Sequence, residues 1–243
     1  MPWDTVQVLV HPDHDPERVA EPALCGEILR WAEGRGAEIA RERARPLTLR
    51  VRARDRDASM ITLLERRRFV REERHTVTYR RSLAAPFAEP ALPPDFVIRH
   101  LRGEEEVEAY VALHREAFGT QHMQVEDRLA LMRGPDYVPE LDLVAVAPDG
   151  TLAAFVVGEI KREESRAAGH VIGSTDPLGT RPAYRRMGLA RALLLEAFRR
   201  LRQRGAEIAT VSTGSWNEPT MRLLESVGYE FAYRLLAYAK TVG

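Results

Sequence analysis

Arg185-Arg186-Met187-Gly188-Leu189-Ala190 is the stretch of this sequence whose residue types and spacing most clearly suit chemistry. Two guanidinium groups bring fixed positive charge and a planar geometry matched to phosphate oxygens. Gly188 has no side chain to hold a phosphate off the backbone, and Ala190 has only a methyl. The stretch lies between an extended run, residues 170–180, and an apolar helical run, residues 189–201. A strand that turns into a helix exposes N–H groups without intrahelical partners at the positive end of the helix dipole. Together these features make an anion cradle that fits a pyrophosphate. A plain Arg-rich helix start is the alternative, and the flanking elements decide between them.

Two other phosphate motifs are set aside. No Gly-Lys-Ser or Gly-Lys-Thr follows the turn, and no Gly-x-Gly-x-x-Gly is present. Composition narrows the field further. The chain has 243 residues, enough for one large domain or two small ones, with 44% hydrophobic content. Its 36 basic and 36 acidic residues give no reason to expect a nucleic-acid or membrane partner. Lys161 and Lys240 are the only lysines, so nearly all positive charge is arginine. Cys25 is the single cysteine, which rules out an intrachain disulfide and a cysteine metal cluster. The histidines, among them His11, His14 and His170, lack ligand spacing, and no metal is expected. Without a signal region or a long apolar run, a cytoplasmic location is expected.

The elements that must position the cradle follow from periodicity and turn signals. Residues 96–101 read as a strand after the Pro-rich linker 86–95. Residues 104–118 read as an amphipathic helix with Val107, Tyr110, Val111, His114 and Phe118 on one face, and 125–133 as a second, short helix. Residues 141–147 and 151–161 form a hairpin about Pro148-Asp149-Gly150. Next come a strand at 170–180, a helix at 189–203 closed by Gly205, and a strand at 207–213. A helix at 218–226 and a final extended region at 229–241 complete the order.

In this setting Arg-x-x-Gly-x-Ala, after a strand ending Thr180-Arg181-Pro182, resembles the coenzyme A pyrophosphate motif of the GNAT N-acetyltransferase superfamily. The element order across residues 96–241 is also similar to that family. The resemblance implies a mixed α/β (α+β) fold with a central, mostly antiparallel sheet flanked by helices. It further implies two parallel strands that splay apart, freeing backbone near Leu178, Gly179 and Thr180 for a pantetheine arm. Arg185, Arg186, Met187, Gly188, Leu189 and Ala190 then hold the pyrophosphate. Asn217 lies where family members carry an Asn on coenzyme A, and it also reads as a helix N-cap. Neighbouring Trp216 reads as a packed aromatic or a pocket wall.

The implied function is an acyl-coenzyme A-dependent N-acyltransferase, with acetyl-coenzyme A as donor and a small-molecule or protein amine as acceptor. The enzyme must hold both partners, polarise the thioester and take a proton from the amine. Asp176 is the expected proton acceptor and Glu159 the second candidate, unless Glu159 is a rim residue paired with Lys161 or Arg162. The family often has Tyr where this chain has Leu224, so Tyr184, Ser226 or solvent would have to protonate the thiolate. That departure supports a second reading, a degenerate binding protein without turnover. Transfer from a charged tRNA fits poorly with a neutral chain.

An internal repeat is also legible. Leu63-Leu64-Glu65 and Phe69 match Leu223-Leu224-Glu225 and Tyr229 at an offset of 160, and Asp57 falls opposite Asn217. Arg35-Gly36-Ala37-Glu38-Ile39-Ala40 is identical to Arg204-Gly205-Ala206-Glu207-Ile208-Ala209 at an offset of 169. Val10-His11-Pro12 falls opposite Thr180-Arg181-Pro182 at 170. The drift implies extra residues near 41–49. Residues 1–85 therefore read as an incomplete, degenerate GNAT-like half domain, and 96–243 as the complete one. The turn at 14–18 lacks glycine and is acidic, so a single coenzyme site is expected. A remnant sheet with an open edge would have to be covered by the second domain or by a second chain, and the latter would make a homodimer.

Overall fold

The computed structural model describes residues 5–7 and 22–243. The turn at 14–18 and the Val10-His11-Pro12 match lie outside the described residues. In chain order the elements are β1 (Thr5–Gln7), α1 (Pro22–Glu42), β2 (Leu47–Arg54), α2 (Ala58–Arg66), β3 (Val70–Arg71) and β4 (Thr76–Ser82). There follow β5 (Val97–His100), α3 (Val107–Phe118), α4 (Val125–Met132), β6 (Asp142–Val146), β7 (Leu152–Ile160) and α5 (Arg162–Ala168). The last elements are β8 (Ile172–Thr180), α6 (Leu189–Gln203), β9 (Ile208–Gly214), α7 (Glu218–Ser226) and β10 (Glu230–Val242). This is a mixed α/β fold with a mostly antiparallel sheet flanked by helices, in the order read from the sequence. Helix α5 is additional, and residues 103–106 form a 3-10 turn instead of the first turn of α3.

The chain divides into two compact units. One comprises residues up to Tyr79, with Ser212–Met221 and Phe231–Gly243; the other comprises Arg80–Val211 and Arg222–Glu230.

In the second unit the strands run in the order β9-β8-β7-β6-β5. Pairing is antiparallel from β5 through β8 and parallel between β8 and β9. The β6–β7 hairpin closes as its turn residues dictate, with the Thr151 N–H donating to Asp149 Oδ1 at 2.9 Å. Helix α6 buries Leu189, Leu193, Leu194, Phe198 and Leu201. Helix α3 buries Val107, Tyr110, Val111 and Leu113. Phe118, expected on that inner face, is 48% exposed because α3 ends there, at Gly119, and Leu113 fills the interior instead.

In the first unit β1 pairs parallel with β2, and β10 pairs antiparallel with both β2 and β3. Strand β2 buries alternate residues, Leu47, Leu49, Val51 and Ala53, as a strand with one covered face should. Leu29 of α1, Met60 and Leu64 of α2, Phe69, Leu236 and Tyr238 share that core.

The repeated hexapeptide requires a correction. Residues 35–40 lie wholly inside α1, whereas 204–209 run from the end of α6 through a loop into β9. The same six residues take different backbones, so the 169 offset aligns nothing. No insertion near 41–49 is needed, since α1 and α6 end at Glu42 and Gln203 and the next strands begin at Leu47 and Ile208. At the offset of 160 the local geometry of the two segments matches. Helices α2 and α7 are nine residues each. The Phe69 N–H donates to the Leu64 carbonyl and the Tyr229 N–H to the Leu224 carbonyl, both at 3.0 Å. Arg68 and Gly228 occupy the same left-handed turn position, at φ +63° and +82°.

Candidate functional site

The turn from β8 into α6 has the backbone of an anion cradle. Gly188 is the N-cap of α6 at φ +83°, and no side chain caps the helix. Arg186 is also left-handed, at φ +67°, and Met187 between them is not. Such alternation turns neighbouring N–H groups to one side, the geometry of an anion-binding nest. A Cβ built on Gly188 would meet nothing within 4 Å, and residues 185–188 are exposed. The first turn of α6 contains no acidic residue to repel an anion.

The side chains around the cradle divide by role. Leu189 is 1% exposed and belongs to the core, so only its N–H can face a ligand. The Arg185 guanidinium donates to the carbonyls of Ala117, at 3.0 Å, and Thr180, at 3.4 Å. It braces the turn from outside. Arg191 of α6 reaches the Ser226 carbonyl at 3.2 Å.

Upstream of the cradle, β8 and β9 form a fork. Their parallel register runs Ile172↔Ile208, Gly173↔Ala209 and Ser174↔Thr210, and ends there. Strand β8 continues to Thr180 against β7, with Leu178 opposite Val156, Gly179 opposite Phe155 and Thr180 opposite Ala154. The edge of β8 that faced β9 is thus released from the ladder along residues 175–180. Gly179 has a further reason to be glycine: a Cβ there would lie 2.5 Å from Phe155 Cε1 and 3.0 Å from Ala117 Cβ.

Both expected carboxylates are present near this segment. Asp176 is exposed and follows directly on the fork. Surrounding protein raises its carboxyl above the ordinary value and Lys161 opposes the shift. Glu159, on β7 opposite Ser174, is ion-paired with Lys161 at 2.6 Å. Arg162 pairs instead with Asp136, at 3.2 Å. Lys161 therefore acts on both carboxylates: its pairing with Glu159 is the rim alternative read from the sequence, and its effect on Asp176 is additional.

Asn217 caps α7 in the first unit. Its Oδ1 accepts the Thr220 N–H at 3.4 Å and its Nδ2 donates to Thr213 Oγ1 at 3.2 Å. Trp216, read as a packed aromatic or a pocket wall, is 59% exposed, with Arg74 over its ring at 5.1 Å. Leu224 is fully buried. Of the hydroxyls considered in its place, Ser226 donates to the Leu223 carbonyl at 2.7 Å, and the Tyr184 ring stacks edge-on to Phe96 at 6.0 Å.

Two buried polar groups escaped the sequence reading. Thr175 Oγ1 and the Tyr229 hydroxyl are 2.7 Å apart, both buried, at the fork. Arg128 and Asp142 form an ion pair at 2% and 0% exposure, with the Tyr137 hydroxyl donating to Asp142 at 2.6 Å. An Asp in an otherwise apolar strand was the available signal for the second. Among the described residues no group of three or more His, Cys, Asp and Glu side chains could hold a metal ion.

The acetyltransferase (GNAT) family profile matches residues 99–229. A mycothiol acetyltransferase of Thermobispora bispora is 30% identical over 154 residues, covering 62% of this chain and 52% of its own length. One from Nocardiopsis dassonvillei is 28% identical over 236 residues, covering 93% of this chain and 71% of its own. The chain thus spans about half the length of the first of these relatives. A GCN5-related N-acetyltransferase of Sphaerobacter thermophilus superposes with a TM-score of 0.74 at 23% identity, over 98% of this chain and 72% of that one. A tandem GNAT protein from the clavulanic acid pathway gives 0.71 at 16%, over 100% and 76%. With the fork, the cradle and the profile falling on one stretch of sequence, the chain belongs to the acetyltransferase (GNAT) family.

Proposed function

We propose that the chain is an acyl-coenzyme A-dependent N-acyltransferase, with acetyl-coenzyme A as donor and a small-molecule or protein amine as acceptor. The observation that carries this reading is the release of β8 from β9 after Ser174, followed along the same strand by the uncapped, glycine-headed turn at 185–190. The fit is physical. The freed edge at Leu178, Gly179 and Thr180 offers backbone groups to an amide-bearing arm. The N–H groups at the head of α6, ahead of its first helical bond, offer donors to a pyrophosphate, with Arg186 adding charge.

In the proposed reaction the amine nitrogen bonds to the thioester carbonyl carbon and the C–S bond breaks. Asp176 accepts the proton that the amine loses, with Glu159 as the second candidate. The thiolate takes its proton from solvent or a hydroxyl, since Leu224 has none to give. On this reading residues 96–243 make up the acyltransferase domain and 86–95 the linker to residues 1–85, a division along the sequence that differs from the two compact units. The 160-residue correspondence between α2 and α7 supports reading residues 1–85 as an incomplete GNAT-like copy. The relatives' name makes mycothiol-related amines the first acceptors to try. Homodimers and a cytoplasmic location accompany this reading, and sedimentation and fractionation test them.

Buried Leu224 favours one other reading, a coenzyme-binding protein without turnover. Calorimetry with acetyl-coenzyme A, followed by thiol release over an amine panel, separates the two. Binding with thiol release supports the enzyme. Binding without release across the panel supports the second reading, and no binding at millimolar ligand sinks both.

A further inference from the structure

We infer that the Thr175–Tyr229 hydrogen bond is a positioning device that sets where β8 parts from β9 and so how Asp176 is presented. The inference rests on the proposed acyltransfer for its kinetic consequence, though not for its geometry.

Thr175 is the pivot of β8. Below it, Ser174 is still in register with Thr210, and the Thr210 hydroxyl donates to the Gly173 carbonyl at 3.1 Å. Above it, both edges change. The β9 partner is gone, and on the other edge the register jumps from Thr175↔Gly158 to Leu178↔Val156. Asp176 and Pro177 together stand opposite Val157 alone, the two-against-one arrangement of a bulge, which re-aims side chains. Pairing with β7 resumes at Leu178, but across the bulge the backbone ladder does not by itself fix how Asp176 is aimed.

A side-chain bond does so. Thr175 is 0% exposed and its hydroxyl lies 2.7 Å from that of Tyr229, itself 3% exposed. Tyr229 is held on rigid elements. Its N–H donates to the Leu224 carbonyl at the end of α7, at 3.0 Å, and its ring meets Phe198 of α6 edge-on at 5.3 Å. A group locked by packing and by a second bond is what orients a reacting residue that it does not touch. Neither hydroxyl reaches the surface, so this is a positioning pair and not a catalytic one.

The test uses the full chain carrying Tyr229→Phe, Thr175→Val, both together, and Thr175→Ser. We expect Tyr229→Phe and Thr175→Val each to lower kcat about tenfold while KM for acetyl-coenzyme A stays within about twofold, as misplacement of a reacting group predicts. The double variant is no slower than either single one, and Thr175→Ser retains the parent kcat. Amide chemical shifts provide a readout independent of turnover: in Tyr229→Phe those of Asp176 and Leu178 should move more than those of Gly173. An unmoved Asp176 amide, or a folded Tyr229→Phe at parent kcat beside a slow Asp176→Asn, overturns the inference. If Asp176→Asn is itself as fast as the parent, the base assignment falls, and the amide shifts alone decide whether the pair positions the strand.

Discussion

The Ala192 amide donates to the Gly188 carbonyl at 3.0 Å, which makes Gly188 the residue from which α6 starts. It holds that place at φ +83° with open space where a side chain would be. Glycine is therefore required by backbone conformation and by what approaches from outside, not by packing. Gly188→Ala should cost about 1–2 kcal/mol, the left-handed penalty alone, seen as a lower Tm. Gly188→Glu adds a carboxylate beside the cradle and should abolish acetyl-coenzyme A binding in calorimetry. Retained affinity would refute the cradle.

Asp176 must be ionised to take a proton, and its carboxyl is held above the usual 3.8. The acid limb of the kcat/KM profile should therefore lie above the ordinary carboxylate value, with activity lost as pH falls through it. Lys161 opposes the upward shift. Lys161→Gln should move that limb to higher pH still, and a limb that stays put or moves down excludes Asp176 as the group reported. Asp176→Asn should slow turnover and leave coenzyme affinity unchanged in calorimetry.

Leu224 occupies the position where family members often carry tyrosine, yet it has no exposed surface. Restoring the hydroxyl by Leu224→Tyr should thus fail as a repair. The larger ring overpacks the core at a cost of about 1–3 kcal/mol. Denaturant unfolding should record the loss, without a rise in kcat.

The Arg128–Asp142 pair predicts an asymmetry. Asp142→Ala leaves a buried guanidinium uncompensated and should cost about 3–5 kcal/mol. Replacing both partners, Arg128→Met with Asp142→Leu, should recover most of that stability. Equal losses for the single and the double variant in urea melts would contradict this account.

What was legible in the sequence was local. The Pro148-Asp149-Gly150 turn, the apolar stripe of residues 189–203 and the Gly-Tyr exit after Ser226 each announce an element within a few residues, and each was found in place. Helix α5 was missed because none of its residues is buried, so no apolar period marks it. The Thr175–Tyr229 contact joins residues 54 positions apart, and no periodic pattern encodes such a pairing. Lys161 was legible as a partner of Glu159, its neighbour two residues away, but its effect on Asp176, on the next strand, was not.

The hexapeptide shared by residues 35–40 and 204–209 has one more consequence, and it concerns its glycine. A Cβ on Gly36 would lie 3.0 Å from Val242 Cγ2 and 3.1 Å from Leu49 Cδ2, while Gly205, at φ +82°, has nothing within 4 Å. The first glycine answers a demand for volume, the second a demand for handedness. Alanine at 36 would push a helix away from its sheet, and alanine at 205 would strain a turn that has ample room. D-alanine, introduced by chemical synthesis, should separate them: welcome at 205 and no remedy at 36.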